Sequence, residues 1–218
     1  MIFSAVRSQL ETVFIRAIET GVAVQQNFPR SGSSNGQKSL GNLDGSAIAL
    51  KNASYRDIYA ELEKNKQFHI KLPDGGLLVY QYTFDNEDKI IKNRLGFFPS
   101  PNLPTFEENP ELYEQDELYG DIMTHRIVRF PIRFDFDPKN YQPKFHPHSH
   151  LTLGQFDNCR IPVSHPLSPN DFTLFILRNF YHRLYKRHLN KFEKRMNVCS
   201  SAEYITDFER KITYICTS

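Results

Sequence analysis

The sequence predicts an α+β fold: a curved antiparallel sheet of about five to six strands packed on an N-terminal helix and a long C-terminal helix. Two observations point there. Apolar residues recur at helical spacing near both ends of the chain, and at a spacing of two through the middle, where turn signals separate the runs. The chain also has 18 Phe and 11 Tyr but no Trp among 218 residues, so these two ring types must supply most of the large side chains of the core. The length suits one domain over residues 1–218.

Over residues 2–28, Val6, Leu10, Val13, Phe14, Ala17, Ile18 and Val22 recur at helical spacing, which predicts an amphipathic helix. The polar, Ser- and Gly-rich stretch after Pro29 predicts a flexible loop near 29–46. Ser54 with Asp57 is an N-cap signal for a short helix ending near Asn65. Phe68, Ile70 and Leu72 then alternate with polar residues up to a turn at Pro73–Gly76. Leu78, Tyr80, Tyr82 and Phe84 carry the alternation onward, which predicts a hairpin. A third strand is expected over Lys89–Phe98, ending at the Pro-rich stretch 99–104. An acidic loop, 105–121, holds seven carboxylates and no Lys or Arg. From Arg126 to Asp137, Val128, Phe130, Ile132, Phe134 and Phe136 alternate with Arg129, Arg133, Asp135 and Asp137, so one face is apolar and the other charged. A further extended segment is expected over His146–Gly154. Ser168, Pro169 and Asp171 stand at N-cap, N1 and N3 of a long helix expected to reach about Met196. Ser200–Glu203 is expected to cap a last short helix.

Several classes are excluded or weakened. No run approaches the roughly 18 apolar residues of a membrane-spanning helix, and Arg7, Glu11 and Arg16 interrupt the start as no secretory segment would. Cys159, Cys199 and Cys216 are odd in number and lack zinc-knuckle spacing, which argues for a reducing, cytoplasmic setting. No Gly-rich phosphate loop, G-x-S-x-G elbow or H-E-x-x-H helix occurs. The formal net charge of +2 names no partner.

The residues that can carry chemistry are His146, His148 and His150, which share a face if the segment is extended, and Arg133, Asp135 and Asp137 on the strand before them. A short connection joins the two strands, so antiparallel pairing is expected to gather these side chains. Two chemistries suit the patch. The Asp135-x-Asp137 pair with its His neighbours fits a divalent cation that activates water on a phosphodiester, with Asp137 and His148 as candidate metal ligands. Alternatively, His146 and His150 serve as acid and base of a metal-free transfer, with Arg133 on the phosphate and Asp135 orienting an imidazole. The bland alternative is an Asp135–Arg133 surface pair beside solvated histidines, with Pro147 turning one ring away. Arg183, Arg187, Lys191 and Arg195 form an i,i+4 basic stripe, which suits nucleic-acid phosphate, the acidic loop of the same chain, or plain solvation. Cys159 beside Arg160 reads better as a small buried hydrophobe than as an activated thiol.

Several motifs carry a family resemblance: Leu72–Gly75, Leu95–Pro101, Asn109–Tyr113, Ile132–Pro138, His146–Gly154, Cys159–Ser164 and Phe175–Tyr181. Over about residues 50–185 the chain resembles an uncharacterised bacterial domain family of unknown function. The resemblance implies a bacterial, cytosolic protein and brings no established activity. In the family's pattern the histidines at His146 and His150 recur, and the one at His148 does not. A fainter outline is similar to small bacterial toxin families with an Arg-x-Asp strand ahead of a His-rich strand. The expected function is a nucleic-acid-directed, ribonuclease-like phosphodiesterase in a toxin or anti-phage setting, acting on RNA or single-stranded DNA. The alternative is a non-catalytic subunit that binds a protein partner, with a structural His cluster.

Overall fold

The computed structural model describes residues 2–41, 53–102, 130–156, 158–193 and 202–217. The acidic stretch 105–121, Arg126–Arg129 of the expected strand, Arg195 and Cys199 lie outside them.

Helix α1 runs from Ile2 to Glu19 and buries Val6, Leu10, Val13, Phe14 and Ala17, as the spacing predicts. It stops short of residue 28 because Gly21 takes a left-handed conformation (φ 69°) that ends the helical path. Val22 is still buried, but outside the helix.

The expected loop after Pro29 is instead a hairpin of β2 (Ser31–Ser34) and β3 (Gln37–Leu40). Asn35 and Gly36 join the strands with φ of 52° and 74°, the left-handed pair that a two-residue hairpin turn requires. The Asn-Gly dipeptide was the signal, masked by a polar composition.

Helix α2 (Tyr55–Lys64) starts where expected, with the Ser54 hydroxyl accepting from the Asp57 N–H. The middle of the chain supplies β4 (Ile70–Lys71), β5 (Leu77–Phe84), β6 (Ile90–Phe98), β7 (Ile132–Phe136), β8 (Ser149–Leu153) and β9 (Ile161–Pro162). With β1 (Gln25–Gln26) and the 31–40 hairpin they make, among the described residues, a nine-stranded antiparallel sheet, more than the five or six expected. Its order is β1-β4-β5-β6-β7-β8-β9, and β3 pairs with the end of β5 that β4 leaves free.

Period-two alternation gives the sheet two different faces. Tyr80, Tyr82, Leu95, Phe97, Ile132, Phe134, Phe136 and Leu151 point toward α1 and toward α3, the helix Pro169–Phe180, to form the main core. On the other face, Leu77, Val79 and Phe98 pack against Ile58, Tyr59 and Leu62 of α2. That smaller cluster covers one end of the second face, and polar side chains occupy the rest of it.

His69 is 1 % exposed and sits at the start of β4. Its Nδ1 accepts the Tyr80 N–H at 3.1 Å, so the imidazole substitutes for a strand carbonyl. Burial drives its pKa down to about 3. The ring therefore stays neutral.

The expected long C-terminal helix occurs as three consecutive pieces: α3, His182–Arg187 and Leu189–Phe192. Tyr181 interrupts it with φ −128° and ψ 50°. Its hydroxyl donates to Asp74 Oδ2 at 2.7 Å, and its ring packs edge-on against Phe97. Asp74 lies 4 % exposed in the β4–β5 turn and also accepts the Gly76 N–H. A tertiary hydrogen bond to a buried carboxylate thus overrides local helix preference. The expected Ser200–Glu203 cap does not lead to a helix over the described residues that follow. Instead, reciprocal hydrogen bonds between Thr206 and Glu209 lead into a single turn at Glu209–Lys211.

Candidate active site

Strand register builds the site. β6 sets Arg94 opposite Asp135 of β7, and β7 sets Asp135 opposite His150 of β8. The three side chains form one row across three strands, on the face away from α1 and α3. The adjacent row holds Gly96, Arg133 and Thr152. Gly96 leaves space that the Phe98 ring fills: a Cβ there would lie 2.6 Å from it. On the other side of the row, Lys92 Nζ meets Asp137 Oδ2 at 2.9 Å.

Asp135 is 8 % exposed, and its Oδ1 accepts from Arg94 Nε at 2.8 Å. Burial opposes its charge, but the charges of Arg94 and Arg133, the Arg94 hydrogen bond and His150 together outweigh burial. Its carboxyl lies below the ordinary carboxylate range. Burial likewise opposes ionisation of Asp137, and hydrogen bonds from Lys92 and Asn140, with the charges of Lys92 and His146, reverse the balance. Burial lowers the pKa of Arg133, Asp135 opposes the shift, and Arg94 and Arg160 add to it. A guanidinium nevertheless stays charged at neutral pH. Arg94, Arg133, Arg160 and Lys92 outnumber Asp135 and Asp137, so the patch has a positive excess.

His150 is 4 % exposed. Burial lowers its pKa to about 4; His146 and Arg160 push the same way, and Asp135 and the Pro147 carbonyl push back. It is neutral at pH 7. Its Nδ1 lies 3.2 Å from the Pro147 carbonyl oxygen. A carbonyl only accepts, which assigns the proton to Nδ1 and the lone pair to Nε2. The His146 ring stands edge-on to His150 at 4.7 Å between centroids, and its Nδ1 has no hydrogen-bond partner among the described residues.

The expected pairing of the Arg133–Asp137 strand with the His segment is therefore present, and His146 meets His150. Two details differ from expectation. The imidazole of His150 is oriented by the Pro147 carbonyl, while the hydrogen bond of Asp135 goes to Arg94. His148 leaves the group: its ring stacks on Tyr141 at 3.9 Å and neighbours Tyr204, which packs on Phe136 of the main core. Pro147 delays the strand until Ser149, so parity no longer aligns His148 with His150. Among the described residues, no three His, Cys, Asp or Glu are grouped as metal ligands. Arg94 and Arg160 are the site cations that sequence reading missed. Residues two apart in a strand share a face, so alternation over Lys89–Phe98 was the signal for Arg94, but nothing local says that β6 borders β7.

Of the basic stripe, Arg183 and Arg187 are exposed on the His182–Arg187 turn. Lys191 reaches Glu19 of α1 at 3.2 Å, so that member has an internal partner. The break at His188 divides the described part of the stripe, with Arg183 and Arg187 on one helical piece and Lys191 on the next. Cys159, expected as a small buried hydrophobe, is only half-buried, and its Sγ accepts the Leu153 N–H at 3.4 Å. Among the described residues, no helix is long and apolar enough to cross a membrane.

No curated protein and no solved structure matches the chain. A family model does, over residues 22–217, which include every site residue named above. The chain thus belongs to the family of uncharacterized conserved proteins designated DUF2290.

Proposed function

We propose that the chain is a nucleic-acid-directed phosphodiesterase of ribonuclease type that works through an imidazole pair. The observation that carries this reading is the contact between His146 and a neutral, oriented His150 in a patch where Arg133 and Arg160 add to the Arg94–Asp135 pair. His150 Nε2 takes the proton of the RNA 2′-hydroxyl as that oxygen bonds to phosphorus. The bond from phosphorus to the 5′-oxygen breaks, and the leaving oxygen takes a proton from His146. Arg133, backed by Arg160, neutralises the phosphoryl oxygens. Asp135 is fixed by Arg94 and keeps Arg133 in place. In a toxin or anti-phage setting, such an activity arrests growth when the chain is expressed.

The test compares wild type, His146→Asn and His150→Asn on RNA and single-stranded DNA, in EDTA and with Mg²⁺ or Mn²⁺. Wild type is expected to cleave RNA in EDTA and leave a 2′,3′-cyclic phosphate. Each variant, while still folded, should lose about 10²- to 10⁴-fold in rate. Folded wild type that cleaves nothing under any condition, or His150→Asn at the wild-type rate, overturns the proposal. Cleavage that requires the metal replaces the imidazole mechanism with a metal-assisted one.

A further inference from the structure

Two exposed rings bracket the strand that carries His150. Phe145 is 75 % exposed and Phe156 is 71 % exposed, the highest values among the large hydrophobics described. Phe145 sits at the tip of a tight turn. The Gln142 N–H donates to the His146 carbonyl at 3.0 Å, and the Phe145 and His146 N–H groups both donate to the Gln142 carbonyl, at 3.1 and 2.9 Å. Lys144 closes this turn in a left-handed conformation, φ 70°, which is unfavourable for a side chain of its kind. Its ammonium lies 5.6 Å from the centre of the Phe208 ring. At the other end of β8, the Phe156 ring folds against Gly154, 3.3 Å from where a Cβ would be. Gln155 Nε2 anchors that turn by donating to the Ala53 carbonyl at 2.9 Å. Both rings are therefore exposed beside built turns, one before and one after the strand that carries His150.

We propose that Phe145 and Phe156 are base-stacking platforms for a single-stranded nucleic acid that crosses β8, its phosphates facing Lys144, Arg133 and Arg160. This rests on the phosphodiesterase reading for the path of the backbone and goes beyond it in naming the substrate class. A duplex keeps its bases stacked on each other and offers no free face to an exposed ring, whereas a single strand does. Arg133 on the strand paired with β8, and Arg160 near it, suit a polyanion and would be poor company for an apolar peptide. β8 spans about 17 Å, room for several nucleotides between the rings.

The test measures fluorescence anisotropy with short labelled oligouridine, oligothymidine, an abasic strand and a duplex. The protein carries His150→Asn so that the probe survives. Phe145→Ala and Phe156→Ala are each expected to weaken binding to the base-bearing strands about 5- to 150-fold. Melting temperatures should not change, and the abasic strand should bind parent and variants alike. The duplex should bind more weakly than the single strand. The proposal is overturned if both variants bind the single strand as tightly as the parent, or if the duplex binds as well. No binding to any probe also overturns it, and leaves the rings as a protein-docking surface. Cleavage assays on the same substitutions in the unmutated His150 background separate the two ideas. Cleavage unaffected by Phe145→Ala and Phe156→Ala removes the platforms and leaves the phosphodiesterase. Ring-dependent binding without cleavage removes the phosphodiesterase and leaves the platforms.

Discussion

Replacing Arg94 with Met tests whether the polar row is a buried ion pair or surface decoration. The Arg94 side chain is 17 % exposed, that of Asp135 is 11 % exposed, and the contact is 2.8 Å. An exposed pair contributes about 0–1 kcal/mol, whereas removing one member of a buried pair typically costs 3–5 kcal/mol. Arg133 stays near Asp135 in the variant, so the expected loss is about 3 kcal/mol, at the lower end of that range. The pH dependence adds a sign. In the wild type Asp135 titrates below its unfolded value, so its contribution is complete above about pH 3.9 and fades as pH falls through the folded value. Without Arg94, burial weighs more heavily and the folded value rises. The deficit is then largest at neutral pH and shrinks on acidification, as Asp135 takes up its proton. Adding Asp135→Asn to Arg94→Met should recover part of the loss. Urea denaturation between pH 7 and pH 4 reads both effects. A loss below about 1 kcal/mol, or a deficit that does not change with pH, would refute this account of the row.

Three further outcomes follow from other parts of the molecule. His69 and His150 have folded pKa values of about 3 and about 4, below the ordinary 6.5, so the unfolded chain gains protons before the folded one does. Stability should fall from pH 7 to pH 5 by about 2 kcal/mol for each ring; imidazole NMR should show neither titrating in that interval, and a midpoint near 6.5 for either would contradict the burial argument. Gly41→Ala should cost more than Gly96→Ala. At Gly41, φ is 72° and the new methyl would lie 1.8 Å from the Tyr80 carbonyl oxygen, whereas at Gly96 it meets a Phe98 ring that can rotate. Thermal melts of the two variants decide the order. Tyr181→Phe removes one hydrogen bond to the buried Asp74 carboxylate and should cost about 1–3 kcal/mol; a neutral result by urea denaturation would show that Asp74 does not depend on it.

Local pattern made much of this molecule legible. The alternation over Leu77–Phe98 identified β5 and β6, and Ser54 and Ser168 marked helix starts because each cap is a contact between near neighbours. The alternation at Arg133–Asp137 and the short connection to the histidines led to their pairing. What escaped had its cause far along the chain. Arg94 meets Asp135 across 41 residues, and Tyr181 meets Asp74 across 107. Neither partner leaves a mark on its own segment. His148 went astray because parity was extended through a proline that holds the strand back to Ser149. The 31–40 hairpin was missed for a different reason: its composition outweighed its turn dipeptide.

The two-row lattice on β6, β7 and β8 also limits how the site can vary. Ile132, Phe134 and Phe136 face the main core while Arg133 and Asp135 face the row, so one added or deleted residue within β7 would exchange the two sets. The charged pair would enter the aromatic core, and the rings would emerge where the phosphate is proposed to bind. Relatives that retain this sheet are therefore expected to differ in the row by substitution, and in length only at turns such as 142–146 and 154–156. Insertions at those turns would shift the exposed rings while leaving the imidazoles in register.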